Sequence, residues 1–521
     1  MPLGTPELTP FLRKQGSGQH LSVFGLAIYS RERISSMFAS RERGPATAAR
    51  RALAVSTGKV MRGGLRRLGL GNGTNLPGTV ALAIDPGALA GLAAQIPRGF
   101  VLVTGTNGKG TTCRMLAEVM QAAGVNPILN HEGSNQLSGL TTTLMARSGP
   151  SGRLPSDERA IGLFEVDEGS LPAILPQIAR PRAVVITNIF RDQLDRYLEP
   201  SFVTGMLERV LRKLPAETTL ILNADDPRLT YLAAELKNPR LYFGIADTGH
   251  SRGGADPSSD FPRCPRCGGE LGYRCVFYAH LGHWRCGGCG LSRPAPQVEA
   301  AKVELLGPLS SRLQLTTPAG ESVLEVPFPG LYNAYNALAA TAAATCCQIP
   351  ESAFSAIQHC SPGSFRMERV VVAGHDVYLV LAKNANGFTE VLRALLADGQ
   401  PKRMMLGLND CAGKQPDTSW IWDADFDSLR GLVPAAVVSG NRSADLAVRL
   451  KYAGWLGTAP ATELTIEPDP VRAFQLALHG SPAGDPLWVV STSIVLGQLR
   501  SWLRRQGYAG QPWREHPGAA S

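Results

Sequence analysis

No uninterrupted apolar run in the chain's 521 residues approaches the roughly 18–20 needed to cross a bilayer as a helix. Leu21–Tyr29 is apolar but short, and no small-residue cleavage site follows it, so it reads as neither signal peptide nor anchor. Charge is sparse, at 18% against 44% hydrophobic residues, the balance of a soluble globular chain rather than a disordered one. Basic excess is missing from most of the sequence. Residues 1–70 hold twelve Lys/Arg and three Glu, which accounts for the whole net charge of +9. A nucleic-acid-binding fold would carry its basic face within a domain, so that class is disfavoured. No cysteine sits in a Gly-x-Cys-x-Gly nucleophile elbow. No solenoid period is visible either.

What the chain does have is Thr104-Gly-Thr-Asn-Gly-Lys-Gly-Thr-Thr112. The apolar run Phe100–Val103 before it reads as a buried strand, and Cys113–Met120 after it as a helix. Strand, glycine-rich turn and helix form the context a phosphate loop requires. Gly105 and Gly108 allow a tight turn whose N–H groups point inward. The helix N-terminus adds partial positive charge. Lys109 offers a cation for the terminal phosphates, and Thr111 a hydroxyl for Mg²⁺. The spacing is shorter than in the ordinary P-loop, with two residues between Gly105 and Gly108 and Gly110 inserted after Lys109.

The length suggests two to four domains. Residues 1–45 read as a basic, flexible extension, with contact to anionic lipid headgroups as the alternative; Met37 offers a later start. Residues 46–365 read as an α/β ATP-binding domain. It opens with a helix over 46–70, a loop at Gly71–Gly78 and a helix over Asp85–Ile96. Strands are expected at Ile161–Val166, Ala183–Thr187, Thr219–Asn223 and Arg240–Gly244, the pattern of a parallel sheet covered on both faces. Alternation over Val298–Val326 predicts antiparallel strands, and Gly330–Gln348 an Ala-rich helix. Ser361–Glu368 reads as a linker into a second α/β domain, residues 366–505, with strands at Val370–Leu381, Arg403–Leu408, Ala435–Ser439 and Leu487–Ser491. Residues 506–521 form a tail.

Within the first domain, at about 260–295, Cys264-x₂-Cys267 and Cys286-x₂-Cys289 form two C-x-x-C-G knuckles. The spacing fits a four-thiolate zinc site, closed and therefore structural. Disulfides, the other use of paired cysteines, are rare in cytosolic enzymes. Cys275 is expected as apolar filling, and His280 and His283 as decoration of the ribbon. Cys113, Cys346, Cys347, Cys360 and Cys411 carry no evident chemistry.

The short Gly-Thr-Asn-Gly-Lys form resembles the Mur ligase and folylpolyglutamate synthase superfamily, whose members activate a carboxylate as an acyl phosphate for attack by an amine. The zinc ribbon narrows this. Cys264-x₂-Cys267-Gly-Gly-Glu-Leu-Gly-Tyr273 and Tyr278-Ala-His-Leu-Gly-His283 resemble the MurT family of synthetase subunits. So do Gly73–Gly78, Phe164–Leu171, Thr187–Tyr197, Leu222–Pro227, Gly330–Asn336 and Asp417–Asp423, in the same order along the chain.

The resemblance implies an ATP-dependent carbon–nitrogen ligase that amidates the α-carboxylate of D-glutamate in the lipid II stem peptide. The ammonia would come from a GatD-type glutaminase partner, at the cytoplasmic face of the membrane. It makes Gly105–Thr112 the nucleotide loop, with Lys109 and Glu165 in the chemistry and Thr111 and Glu165 as Mg²⁺ ligands. Asp167 and Glu168 are weaker ligand candidates, and Asn188, Asp192 and Asp195 follow another strand end. Gln193 stands where related Mur ligases carry a histidine. Asn333 and Asn336 match nucleotide-contacting asparagines. Arg366 matches a phosphate-facing arginine, although Gly363-Ser-Phe-Arg366 lacks the glycine that normally precedes it. An aspartate of the synthetase is expected to complete the glutaminase's Cys–His pair, Asp410 first and Asp423 second. Two other readings remain at this point: an amino-acid ligase of the folylpolyglutamate or Mur type, and a scaffold subunit that only activates a glutaminase.

Overall fold

The computed structural model describes residues 45–68, 73–130, 133–178, 181–190, 200–252, 263–360, 367–410, 417–457, 461–482 and 484–508. Arg366, Asp192, Gln193, Asp195 and Cys411 lie outside these residues.

The larger of two α/β sheets has nine strands. In chain order these are β1 (Phe100–Thr104), β2 (Asn126–Leu129), β3 (Ala160–Glu165), β4 (Pro181–Ile186), β5 (Thr219–Asn223), β6 (Arg240–Ile245), β9 (Val298–Leu305), β10 (Ser311–Thr317) and β11 (Gly320–Val326). Between the sixth and ninth the chain forms a separate hairpin, β7 (Leu271–Tyr278) and β8 (Leu281–Cys286). The strand order is β11-β10-β9-β6-β5-β4-β1-β3-β2. Seven strands run parallel, and β9, β10 and β11 end the sheet as an antiparallel meander. Parallel strands buried on both faces need apolar residues at successive positions, and Phe-Val-Leu-Val in β1 supplies them. Phe100 and Leu102 enter the core on one face, Val101 and Val103 the core on the other. Burying each such side chain contributes about 1.5–3 kcal/mol.

Helices cover both faces. Lys109–Ala122 and the Ala-rich Leu331–Cys346 lie together on one face, and small side chains let the second helix bury thirteen of its residues. On the other face Leu76–Ile84 packs on Leu137–Arg147. Gly78 permits that approach, since a β-carbon there would strike the backbone of Ser138. The Leu76 helix corrects the expected loop at Gly71–Gly78. Pro77 sits at the first turn, where a proline starts a helix rather than preventing one. Asp85–Ile96 shortens to a helix over Ala88–Ala93, with Asp85 Oδ1 accepting from the Gly87 N–H at 3.0 Å.

The second sheet has six strands, β12 (Met367–Val372), β13 (His375–Leu381), β14 (Met404–Gly407), β15 (Ala435–Ser439), β16 (Glu463–Ile466) and β17 (Leu487–Ser491), in the order β12-β13-β17-β14-β15-β16. The expected strand Val370–Leu381 is two antiparallel strands, broken where Ala373 and Gly374 take φ of 49° and 84°. β16, short and largely exposed, has no counterpart among the expected strands. Side chains of Asp226, Asn384 and Asp469 cap the helices that follow them.

Candidate active site

The phosphate loop leaves β1 at the carboxyl edge of the parallel sheet, where ligands of such folds bind. Gly105 and Gly108 have φ of 119° and 85°, a region open to glycine and strained for other residues. Their lack of a side chain also matters directly. A β-carbon on Gly105 would collide with Thr187, and one on Gly108 with Asn336 Oδ1. One on Gly110 would lie 2.8 Å from Glu165 Oε2. The carboxylate of Glu165 therefore stands over the start of the loop's helix, one residue from Thr111.

Lys109 is buried, and its ammonium donates to the carbonyls of Gly105 and Thr106 and to Glu168 Oε2 at 3.0 Å. Burial alone would lower its pKa. The carboxylates of Glu168, Glu165 and Asp167 outweigh that and raise it above the ordinary lysine value. Glu168, a weaker candidate by sequence, is thus the lysine's direct partner. Glu165 ends β3 beside Val103. Asn130 fixes its backbone through two hydrogen bonds, and Asn135 Nδ2 donates to its Oε1 at 3.3 Å. Sequence reasoning found neither asparagine. Thr112 is buried at the first turn, its N–H bonded to the Gly108 carbonyl, while Thr111 is half-buried and lines the adjoining cleft.

The segment after β4 holds the loop from its other side. Asn188 Oδ1 accepts from the Asn107 N–H at 2.9 Å, and its Nδ2 donates to the Asn107 carbonyl at 3.2 Å. The Thr106 N–H donates to the Asn188 carbonyl, and Thr106 Oγ1 accepts from the Phe190 N–H, both at 3.0 Å. Asn188 was expected at a ligand edge; here it grips the loop backbone.

A cleft adjoins the loop, between Asn107, Thr111, Tyr278, Tyr332, Asn333 and Asn336. The two asparagines of the Leu331–Cys346 helix are buried and bonded to each other, Asn336 Nδ2 to Asn333 Oδ1 at 3.1 Å. Asn386 and Glu390, from the second sheet's first helix, close the cleft opposite them.

The four cysteines converge. Cys264 Sγ lies 3.6 Å from Cys289 Sγ, and Cys267 Sγ 3.5 Å from Cys286 Sγ. All four sulfurs are within 4.8 Å of one another. Those separations are too long for disulfides and near the ~3.8 Å edge of a tetrahedron with zinc–sulfur bonds of about 2.3 Å. The knuckles are equivalent turns. Gly268 N–H bonds the Cys264 carbonyl and Gly290 N–H the Cys286 carbonyl, each glycine with φ near 70° (71° and 73°). The Cys289 N–H held on its sulfur is the leading cause that brings Cys286 down to about 6, whereas burial pushes the Cys264 thiol up. The donor set fits a soft, closed metal site.

His280 and His283 are not decoration of this ribbon. His283 bonds the Ile245 carbonyl at 2.7 Å, and His280 is fully buried against Asp226 at 3.4 Å. Both fasten the hairpin to the main sheet. Cys275 is buried filler, as expected.

Asp410 follows β14. Its Oδ1 accepts from Asn441 Nδ2 at 2.6 Å, its N–H donates to Asn441 Oδ1, and Arg442 stands 3.6 Å from its other oxygen. Asp423 is exposed at the end of the short turn Ser419–Trp422.

A two-sheet chain with this phosphate loop, an acidic pair over it and a cleft alongside has the Mur ligase fold, and the chain is an ATP-dependent ligase. The Mur ligase middle domain matches residues 103–256, and the MurT ligase C-terminal domain matches residues 381–492. The chain is 34% identical over 400 residues to the MurT subunit of the glutamine-hydrolysing lipid II isoglutaminyl synthase of Streptococcus pneumoniae, covering 76% of this chain and 85% of that one. It is 30% identical over 406 residues to the corresponding subunit of Staphylococcus aureus, with 77% and 87% covered. The chain belongs to the MurT family. Among solved structures, a pseudomurein peptide ligase type C from Methanothermus fervidus shares the fold, with a TM-score of 0.59, 22% identity and 79% of each chain covered.

Proposed function

We propose that this chain is the synthetase subunit of a lipid II isoglutaminyl synthase. It would convert the α-carboxylate of D-glutamate in the lipid II stem peptide to the carboxamide during peptidoglycan synthesis. The observation that carries this reading is the likeness to MurT subunits over about three quarters of the chain, 76% in one case and 77% in the other. On this reading residues 46–365 form the ATP-binding domain, residues 366–505 the C-terminal domain, and 1–45 and 506–521 the extensions.

The reaction has two displacements. An oxygen of the glutamate carboxylate attacks the γ-phosphorus of ATP, and the bond to the leaving ADP breaks. Ammonia then attacks the carbonyl carbon of the acyl phosphate, inorganic phosphate leaves with the old oxygen, and nitrogen loses a proton to give the amide. The backbone N–H groups of Gly105–Thr112 would cradle the phosphates, with Asn333 and Asn336 on the nucleotide and Arg366 approaching the phosphates. The Lys109 ammonium, already inside the loop, would stabilise charge on the transferring phosphoryl group, a contribution realised most fully in the transition state. Thr111 and Glu165, an oxygen donor pair suited to a hard cation, would hold Mg²⁺, which when bound neutralises phosphate charge. The four cysteines would hold a structural Zn²⁺.

Ammonia has to come from elsewhere, since the chain has no thiol nucleophile elbow. A GatD-type glutaminase partner would supply it, with Asp410, or failing that Asp423, completing the partner's Cys–His pair. No helix among the described residues is long and apolar enough to cross a membrane. The reading puts the complex in the cytoplasm, at the inner face of the membrane where lipid II presents its stem peptide.

The test is co-expression with a GatD-type glutaminase, followed by mass spectrometry of lipid II incubated with ATP and glutamine. A carboxylate-to-carboxamide mass change that needs both subunits, placed on D-glutamate by fragmentation, is expected. Incorporation of an offered amino acid in its place would sink the amidation reading in favour of a ligase.

A further inference from the structure

The ribbon hairpin has two ends. The knuckles lie where Leu271 pairs with Cys286, and the turn Ala279–His280 lies at the other, where Tyr278 pairs with Leu281. That turn is tight enough to put Ala279 at φ 47°, a conformation usually left to Gly or Asn. It is driven into the main domain beside the nucleotide cleft. His280 Nε2 is 3.4 Å from Asp226 Oδ2, with both side chains fully buried. The same Asp226 oxygen accepts from the Ile189 N–H at 3.0 Å. The His280 ring meets Phe190 edge-on at 5.0 Å. Ile189 and Phe190 belong to the segment that grips Thr106 and Asn107 of the phosphate loop. One continuous set of contacts therefore runs from the ribbon tip to that loop.

A buried polar pair of this kind adds little stability on its own, because apolar residues of the same shape can do as well. What it gives is a fixed position for its neighbours. Asp226 is suited to that part. Burial opposes its ionisation, yet His280 and the N–H groups of Ile189 and Arg228 hold its carboxyl below the usual range. Tyr278, the residue before the turn, lines the cleft itself together with Asn107, Asn333 and Asn336. Its ring is braced by Phe190 and Tyr335, each at 5.8 Å.

We propose that the tip of the ribbon hairpin is a working part of the nucleotide site. Tyr278 provides an aromatic wall for the nucleobase. His280, acting through Asp226, is a positioning residue for the Asn188–Phe190 segment that holds the phosphate loop. The inference rests on the ATP reading above and assigns the ribbon a part in that site which a purely structural metal knuckle would not have.

The experiment is calorimetric titration of the full-length chain, in complex with its glutaminase, using Mg·ATP and Mg·tripolyphosphate, the latter carrying phosphates but no base. Tyr278→Ala is expected to weaken ATP about tenfold or more, the size of a lost aromatic–base contact. It should leave tripolyphosphate unchanged, and Tyr278→Phe should bind ATP as the parent does. His280→Ala is expected to weaken both ligands by about fivefold or more, in the range of couplings between linked sites. His280→Gln, which keeps a donor for Asp226, should recover most of that loss. Unchanged ATP affinity in Tyr278→Ala, or an equal loss for tripolyphosphate, overturns the wall. His280→Ala at parental affinity, or His280→Gln no better than Ala, overturns the positioning role. A parent complex that binds no ATP overturns this inference and the activity reading together.

Discussion

Asn384 joins the two sheets at the phosphate loop: its Nδ2 donates to Asn107 Oδ1 at 3.3 Å, while its Oδ1 accepts from the Gly387 N–H at 2.8 Å. One side chain caps the helix Ala385–Leu396 and touches the loop proposed to bind ATP. The two tasks separate chemically. Asn384→Asp keeps the capping oxygen but replaces the amide donor with a carboxylate facing Asn107. We expect KM for ATP to rise about fivefold or more, in the range of site-to-site coupling, with little change in thermal midpoint. Asn384→Ala should add a stability loss of about 1 kcal/mol from the missing cap. Steady-state kinetics with thermal melts checks both; an unaltered KM in the Asp variant would show that the contact does nothing for nucleotide binding.

Lys109 and Glu168 form a buried pair, each side chain about a tenth exposed or less (8% and 10%). Lys109→Ala should abolish amidation and also destabilise the fold by about 3 kcal/mol, because it strands the Glu168 carboxylate without its cation. Adding Glu168→Gln should restore much of the stability and none of the activity. Denaturant melts beside the lipid II assay separate the two effects. Activity in either lysine variant would remove Lys109 from the chemistry.

The phosphate loop was legible because strand, glycines and helix are contiguous, so local spacing carries the geometry. Cysteine spacing carried the ribbon for the same reason, and Glu165 was reachable as the last residue of an apolar run. What could not be read depends on partners distant in sequence. Nothing local marks His280 as the mate of Asp226, Asn384 as a contact of Asn107, or Glu168 rather than Glu165 as the direct partner of Lys109. The split of Val370–Leu381 into β12 and β13 was hidden differently. Its turn, Ala373–Gly374, is a single weak signal inside a β-branched run, and an alanine holds one of the two positive-φ positions.

The cysteine cluster predicts a metal content. Cys267 is exposed and Cys264 and Cys286 buried, so Cys267→Ser disturbs packing least while removing one of four sulfurs. The purified parent should carry about one zinc per chain, as a closed four-thiolate site holds one ion. The serine variant should carry far less and melt at lower temperature, since metal-binding free energy in such sites is folding free energy. Elemental analysis alongside thermal melts decides it. A metal-free parent with an unaltered melt in the variant would leave the knuckles as bare thiols.

Asp410 and Asp423 are competing candidates for the carboxylate that would orient the partner's catalytic histidine, and their surroundings differ. A triad carboxylate acts by being held so that it fixes the imidazole and stabilises its charged form. Asp410 is held, with Asn441 on one oxygen at 2.6 Å and Arg442 near the other at 3.6 Å, at the carboxyl end of a parallel strand. Asp423 stands exposed on a short turn. Asp410→Asn should therefore reduce glutamine-dependent amidation by about 10⁴-fold, the order seen when a triad carboxylate is neutralised. It should leave amidation from added ammonium chloride intact, because Asp410 is not among the residues that line the cleft or hold the phosphate loop. Asp423→Asn should leave both activities near parental. Parallel assays with the two nitrogen sources assign the role. Loss of ammonium-dependent activity in Asp410→Asn would instead make Asp410 part of the synthetase reaction, and a glutamine-specific loss in Asp423→Asn alone would transfer the triad role to Asp423.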